Sequence, residues 1–155
     1  MKVSATEEYG VRCLIRLAEA HRQGRHLTIP DVARAEGLSP EYVAKLTGIL
    51  RRAGLVTSLR GVNGGVRLSR EPGSITLADA IEALSGTPLR LRQCLTDGEH
   101  VACTHLADCG LREVWSTLTT LVLGVLSNVT MADLASGPVP PTVDRRPSTA
   151  PVEAP

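Results

Sequence analysis

The chain has 155 residues, 43% hydrophobic and 21% charged, which suits one folded domain with an appendage. It shows neither a secretory signal nor an apolar run of the roughly 20 residues that a bilayer requires, so we expect a cytoplasmic protein with no membrane partner. Residues 1–70 carry 12 Lys+Arg against 6 Asp+Glu, which favours an anionic partner such as DNA, and aromatic residues at 2% disfavour a reader of single strands.

Capping residues mark where helices begin along most of the chain. Ser4, Thr28, Thr76 and Thr130 each have an acid three positions later, and Ser39 is followed by proline, so each predicts a helix start. Glycines stand where three of these helices should end. We therefore predict helices over residues 4–22, 28–36, 39–53, 76–85, 110–128 and 130–135.

A change of pattern follows the third helix. The segments LVTSLR and VRLS alternate around GVNGG, which predicts a two-stranded hairpin with a glycine-containing turn. Helix, short turn, helix and hairpin occur in the order of a winged helix-turn-helix. The expected fold class is therefore mainly α with a small β-hairpin wing, with a DNA-binding domain over residues 1–86 and a long dimerisation helix after it.

The second helix of the pair is expected to enter the major groove with its N-terminal residues at base edges. Its far end is rich in arginine, which suits phosphates, and the wing glycines let the backbone approach DNA closely. The alternative is that the helix pair docks a protein and the arginines form a solvated face. The predicted DNA-binding residues are Thr28, Ser39, Pro40, Glu41, Lys45, Arg51, Arg52, Arg60, Asn63, Gly64 and Gly65.

Three of the four cysteines lie in CLTDGEHVACTHLADC, residues 94–109. In a reducing cytosol such a cluster favours metal binding or redox chemistry over a structural disulfide. The spacers of eight and five residues lack the tight pairs of a zinc site, whereas widely spaced thiolates suit an iron–sulfur cluster. One iron would then lack a thiolate, and His100, His105, a carboxylate or a small molecule could complete it.

The helix over residues 110–128 presents apolar residues at alternating spacings of three and four, which predicts a seam for a second helix. We interpret it as a homodimer contact, with a contact inside the chain as the alternative. The organisation predicted after residue 86 is a cluster-binding loop over 87–109, the dimerisation helix and a short final helix over 110–135, and a disordered Pro-rich tail over 136–155. The seam residues are Leu111, Trp115, Leu118, Val122, Val125 and Val129.

An ordered set of motifs resembles a known family. The segments MKVSATEEYGVRCLIRLA, GLSPEYVAKLTGILRRAGLVTSLRGVNGGVRLSR, ITLADAIEALSG, LREVW and TMADL flank the cysteine loop as in the small bacterial winged-helix iron–sulfur transcription regulators that include IscR, NsrR, RirA and RsrR. The resemblance covers about residues 1–135. It implies a homodimer that binds palindromic operators, with one cluster held by three cysteines of each subunit.

By that resemblance, Cys94, Cys103 and Cys109 are the cluster cysteines. The histidine that some members carry three residues after the last cysteine is replaced here by Arg112. An aspartate that other members supply from the partner's first helix corresponds to Glu8, and an oxygen ligand favours [4Fe–4S] over [2Fe–2S]. Glu8 also has a structural interpretation, because an acid in the first turn is favoured by the helix dipole and Arg12 follows at i+4.

The fourth cysteine, Cys13, lies on the apolar side of the first helix, and we predict that it belongs to the core. No paired acid and base, nucleophile elbow or phosphate loop is present, so we expect no enzyme. The sequence predicts a dimeric transcription regulator, a repressor, whose operator affinity depends on a cluster that senses redox state, oxygen, nitric oxide or iron. Two alternatives are a regulator switched by a Cys103–Cys109 disulfide and an iron–sulfur electron carrier.

Overall fold

The computed structural model describes residues 3–61, 64–86 and 109–138. Its fold confirms the expected class, and each predicted helix is present with its ends within one residue of the prediction. The elements in chain order are α1 (Ala5–Arg22), α2 (Ile29–Glu36), α3 (Pro40–Arg52), β1 (Val56–Leu59), β2 (Gly65–Leu68), a 3-10 turn (Pro72–Ser74), α4 (Leu77–Ser85), α5 (Gly110–Asn128) and α6 (Met131–Ala135).

The helix starts are held by the predicted caps. At α1, α2, α4 and α6 the capping hydroxyl accepts from the backbone N–H three residues on, and the acid there accepts from the cap's own N–H. At α3, Ser39 Oγ accepts from the Tyr42 N–H at 3.2 Å. Gly37 and Gly86 end α2 and α4 in the left-handed conformation, with φ of 66° and 69°. These boundaries are therefore set by local hydrogen bonds.

Helix α1 lies at the centre of the domain, where it packs against α3, α4 and α6. Its approach to α4 depends on Gly10, since a Cβ there would lie 2.4 Å from Leu84 Cδ2. Cys13 is fully buried in this core, as predicted. The other core side chains are Leu14, Leu17, Ala18, Val32, Ala33, Val43, Leu46, Leu50, Leu55, Val56, Val66, Leu68, Ile75, Ala80, Leu84 and Met131.

The last helix completes the same core. Met131 is fully buried, and its N–H donates to Ile75 O at 2.9 Å. The Leu77 N–H donates to Val129 O at 2.7 Å, which ties the end of α5 to the start of α4. The first half of α5, before Thr119, contains no buried residue. Within the described ranges, no helix has the length and apolar character that crossing a bilayer demands.

Candidate nucleic-acid interface and cysteine loop

Helix α3 separates its residues cleanly between core and solvent. Val43, Leu46 and Leu50 are fully buried, which fixes the rotation of the helix on the domain. The predicted DNA-binding residues of α3 consequently share its outer side and all of them are exposed. They are Ser39 and Pro40 at its start, Glu41 and Lys45 in the first two turns, and Arg51 and Arg52 at its end.

Thr28 lies at the start of α2, beside α3, and its side chain is already engaged. Thr28 Oγ1 donates to Asp31 Oδ2 at 2.6 Å and accepts from the Asp31 N–H at 3.2 Å. The hydroxyl hydrogen bond is the main reason that the pKa of Asp31 lies below its usual value. The Thr28 hydroxyl therefore caps α2, and its proton is already used by Asp31.

The two wing glycines have reasons inside the chain. A Cβ on Gly64 would lie 2.6 Å from Leu59 O, and one on Gly65 would lie 2.6 Å from Leu27 O. Gly65 precedes Val66, which forms an antiparallel bridge with Leu27 through hydrogen bonds of 3.2 and 2.7 Å. The structure thus gives both glycines a role inside the chain, namely close backbone packing within the wing for Gly64 and against Leu27 for Gly65, and their predicted approach to DNA stays a prediction.

The arginines of the wing are exposed. Arg60 follows β1 directly and Arg67 lies within β2, and both side chains face solvent. Arg70, just after β2, is 3.0 Å from the Asp79 carboxylate of α4, which anchors the base of the wing to the domain. Asn63, predicted at the wing tip, lies outside the described residues. The basic side of α3 therefore continues into the described part of the wing.

A cleft of about 490 Å³ separates α3 from the wing. Sequence reasoning missed most of its lining, because small residues in a helix rarely attract notice, although a glycine in mid-helix was an available signal. The lining residues are Thr28, Ile29, Pro30, Ala44, Thr47, Gly48, Arg51, Ser58, Gly64, Gly65 and Val66.

A buried carboxylate fixes α1 to the end of α2. Arg12 Nε donates to Glu36 Oε2 at 2.7 Å, Arg16 Nε donates to Oε1, and the Glu36 side chain is only 3% exposed. Arg12 also lies over the Tyr9 ring at 5.5 Å, and this ring meets Tyr42 of α3 edge to face. Arg12 therefore pairs with Glu36 of α2 rather than with Glu8, the partner that the structural interpretation of Glu8 offered.

Burial alone would raise the pKa of Glu36, but the hydrogen bonds and charges of Arg16 and Arg12 outweigh it and the pKa lies below its ordinary value. Such a group stabilises the fold above its unfolded-state pKa, and this stabilisation is lost as pH falls through that value to the lower folded-state pKa. The contact of Glu36 with Arg12 and Arg16, which we call the Glu36 clamp, should therefore weaken in acid.

Replacing Glu36 with glutamine is expected to lower the free energy of unfolding by about 1–2 kcal/mol at neutral pH, because two partly exposed guanidinium groups lose a charged acceptor. Urea unfolding at a series of pH values measures the effect, and the gap from the unchanged protein should shrink in acid. Glu82→Gln, at an exposed acid of α4, is the matched control. An equally large gap at acid and neutral pH would contradict the clamp.

The structure describes only one of the three loop cysteines. Cys109 is half-buried at the N-cap of α5, and it is a free thiol. Cys94, Cys103, His100 and His105 lie outside the described residues, and the described ranges contain no group of three or more potential metal ligands.

Two further residues that were considered for metal binding or redox chemistry, Glu8 and Cys13, lie on α1. Glu8 is exposed in the first turns of the helix. Burial, followed by the nearby charge of Glu36, raises the pKa of the Cys13 thiol to about 11. A thiol that resists deprotonation is a poor metal ligand, which agrees with its place in the core.

The long helix α5 has two apolar sides, and the predicted seam combined them. Thr119 and Leu126 are buried against the domain, and Trp115, Val122 and Val129 lie half-buried near this side. A second side is exposed although it is apolar, at spacings of three, four, three and four. This side, which we call the α5 stripe, consists of Leu111, Val114, Leu118, Leu121 and Val125, between 39% and 60% exposed.

Comparisons with known proteins agree with this architecture. Residues 3–137 match the family model Rrf2, described as an iron-dependent transcriptional regulator. The transcriptional regulator CymR of Bacillus subtilis is 37% identical over 136 residues, which cover 88% of this chain and 91% of the relative. Protein rrf2 of Nitratidesulfovibrio vulgaris is 32% identical over 134 residues, covering 86% and 87%. The family and CymR are described as transcriptional regulators rather than enzymes, which confirms the expectation that the chain is not an enzyme.

Solved structures give the same result. CymR, titled the global cysteine regulator of B. subtilis, superposes with a TM-score of 0.71 at 35% identity, covering 88% of this chain and 97% of that one. IscR of T. potens gives 0.64 at 32%, covering 88% and 87%. The oxidized form of Staphylococcus aureus CymR gives 0.66 at 29%, covering 90% and 100%.

Proposed function

Because the chain belongs to the Rrf2 family of DNA-binding transcriptional regulators, we propose that it is a homodimeric repressor whose operator affinity is set by an iron–sulfur cluster on Cys94, Cys103 and Cys109. The observation that carries the proposal is the place of the three-cysteine loop. It joins α4 of the DNA-binding domain to α5, and its last cysteine is the N-cap of α5. A protein that binds a bacterial operator works in the cytoplasm.

The DNA contacts follow from the exposed side of α3 and the wing. Residues 34–70 carry 7 basic residues and 2 acids, so this surface attracts a polyanion. Ser39, Glu41 and Lys45 are exposed at the start of α3, and they would meet base edges in the major groove. The guanidinium groups of Arg51 and Arg52, at the end of α3, would bind phosphates. Two such helices in a dimer would read a palindromic operator.

The donor set suits a cluster. Thiolates are the usual ligands of iron–sulfur clusters, and Cys109 offers a free, half-buried thiol. We propose Glu8 of the partner subunit as the fourth ligand, with His100 and His105 as the other candidates, and [4Fe–4S] rather than [2Fe–2S] as the cluster. An iron without a thiolate is the site where oxygen or nitric oxide would act.

The coupling to DNA would pass through α5. Ligation of Cys109 would fix the N-cap of this helix, and the Leu77–Val129 hydrogen bond joins its other end to the DNA-binding domain. A change in the loop can therefore alter the separation of the two recognition helices. Half-sites lie at a fixed helical spacing, so a small change in that separation alters affinity.

A second function is favoured by two of the similar proteins. One is titled a global cysteine regulator and another was solved in an oxidized form, which supports a thiol switch. In this version Cys103 and Cys109 lose two protons and two electrons to an oxidant such as a disulfide and form a disulfide of their own. Family membership favours both regulators over the electron carrier.

Anaerobic purification from a host that assembles clusters distinguishes the two. We expect a coloured protein with about four iron atoms per subunit, and Cys109→Ser should lose its visible absorbance because a thiolate ligand is missing. Cys13→Ala is the matched control and should keep its colour. A colourless wild-type protein with one iron or less would reject the cluster, and an oxidant-dependent Cys103–Cys109 disulfide would then support the switch.

The same samples test DNA binding. A sequence-specific gel shift with the protein's own promoter region is expected in the apo or the holo form, and Arg60→Ala should weaken it. No specific shift in either form would reject the regulator. For the fourth ligand, Glu8→Ala should bleach or destabilise the cluster, and an unaltered spectrum would transfer the assignment to the histidines.

A further inference from the structure

Gly48 stands in the middle of α3, where glycine weakens a helix relative to alanine. The fold does not require it. A Cβ at this position would meet only Arg52 Nη1, at 3.8 Å, and the backbone φ is not positive. Gly64 and Gly65 differ, since a Cβ on either would collide with backbone oxygens. Among the described residues, nothing inside the chain accounts for a glycine at position 48.

Gly48 lies instead on the floor of the cleft between α3 and the wing. Ala44, one turn earlier, lines the same floor, so this part of α3 carries almost no side-chain volume. Thr47 presents no free donor there, because its hydroxyl donates to Val43 O at 2.8 Å. The result is an apolar floor that is deeper than a helix with ordinary side chains would allow.

The rim of the cleft is polar and basic. Arg51 of α3 and Ser58 of β1 face each other across it, with 3.4 Å between Arg51 Nη1 and Ser58 Oγ. Arg51 is exposed. A ligand that fits this arrangement has an anionic group for the rim and a compact, largely apolar body for the floor.

The geometry of duplex DNA supplies such a ligand at this place. The major and minor grooves are separated by a sugar–phosphate strand. With α3 in the major groove, a wing on the far side of the cleft reaches across that strand toward the neighbouring groove. The strand must therefore pass over the cleft. Its phosphate matches the guanidinium and the hydroxyl of the rim, and its deoxyribose matches the apolar floor.

A winged helix that binds DNA in this way seats the sugar–phosphate backbone of one operator strand in the cleft, and we propose that Gly48 is the residue that makes room for it. This inference rests on the proposed DNA binding and identifies the residue of α3 that sets the depth of the cleft. Gly48 is a positioning residue, since it touches no base. It allows α3 to enter the groove deeply enough for Glu41 and Lys45 to reach base edges. Any side chain at position 48 would hold the strand away.

The test compares Gly48→Ala and Gly48→Leu with the unchanged full-length protein. Alanine should raise the melting temperature by about 2–4 °C, because it is the better helix former. Both variants should bind more weakly to an operator selected from random duplexes by the wild-type protein. The loss should be about tenfold or more for leucine and smaller for alanine. Ala35→Leu, an exposed position of α2 outside the cleft, is the matched control.

Hydroxyl-radical cleavage of the bound operator gives a second readout. The wild-type protein should protect a short run of deoxyriboses in each half-site, between the major-groove contacts and the wing, and Gly48→Leu should lose this protection first. Unchanged affinity and protection in Gly48→Leu would overturn the inference and leave the regulator intact. If the wild-type protein selects no sequence at all, the proposed function itself fails. The inference requires that Gly48→Ala raises the melting temperature and at the same time weakens operator binding.

Discussion

Replacing Leu118 with glutamate is expected to convert the protein to a monomer and to lower its operator affinity by about 10²–10⁴-fold, the range lost when two linked sites bind separately. Leu118 lies at the centre of the α5 stripe, whose residues stay exposed when the chain is alone. A spacing of alternating three and four residues is that of a helix seam, and each side chain in it packs between residues of a facing helix. Two buried carboxylates would oppose this contact.

Sedimentation velocity measures the association state and fluorescence anisotropy measures the affinity. Ser116→Glu is the matched control, because it adds the same charge on the opposite side of α5, where the residue is exposed and polar. Circular dichroism should show the domain folded in both variants. If Leu118→Glu remains a dimer of unchanged affinity, the α5 stripe is not the subunit contact.

Replacing Gly65 with alanine is expected to lower the free energy of unfolding by about 2–3 kcal/mol, at the upper end of what overpacking costs. The new Cβ would lie 2.6 Å from Leu27 O, which is backbone and cannot rotate away. The strand must separate from Leu27, and the two hydrogen bonds of the Leu27–Val66 bridge are lost. Since this bridge holds the wing beside α2 and α3, operator affinity should fall as well.

Urea unfolding and anisotropy report the two effects. Gly73→Ala, in the turn after β2, is the matched control, since a Cβ there meets nothing within 4 Å. A variant at position 65 that is as stable as the wild-type protein would show that the bridge contributes little. Normal affinity in a destabilised variant would show that the position of the wing matters less than α3.

The helices could be predicted closely because their boundaries are set within four residues. The capping hydrogen bonds between Ser4 and Glu7, and between Thr76 and Asp79, form between residues three apart and need no contact with the rest of the fold. The same holds for the buried row of α3, where spacing alone separates Val43, Leu46 and Leu50 from the exposed side. The helix boundaries and the buried side of α3 could therefore be predicted from the sequence alone.

Contacts between segments that lie far apart in the sequence could not be predicted in this way. The Glu36 clamp joins residues 24 apart, and the Gly65 requirement comes from Leu27, on a segment that no local pattern marks as a pairing partner. On α5, apolar residues cover more than one side, so periodicity could not decide which side faces the domain. The predicted seam accordingly includes Trp115, Val122 and Val129, which lie half-buried near the domain, and omits Val114 and Leu121, which are exposed.

The burial of Met131 in the core of the N-terminal domain has a consequence for synthesis on the ribosome. A domain built around α1 cannot close until α6 has emerged, and α6 is made after the cysteine segment and α5. A nascent chain halted after Gly86 would display its basic helix on an unfinished body. The ability to bind DNA should therefore arise only late in translation, after the cysteine segment and α5 have been synthesised.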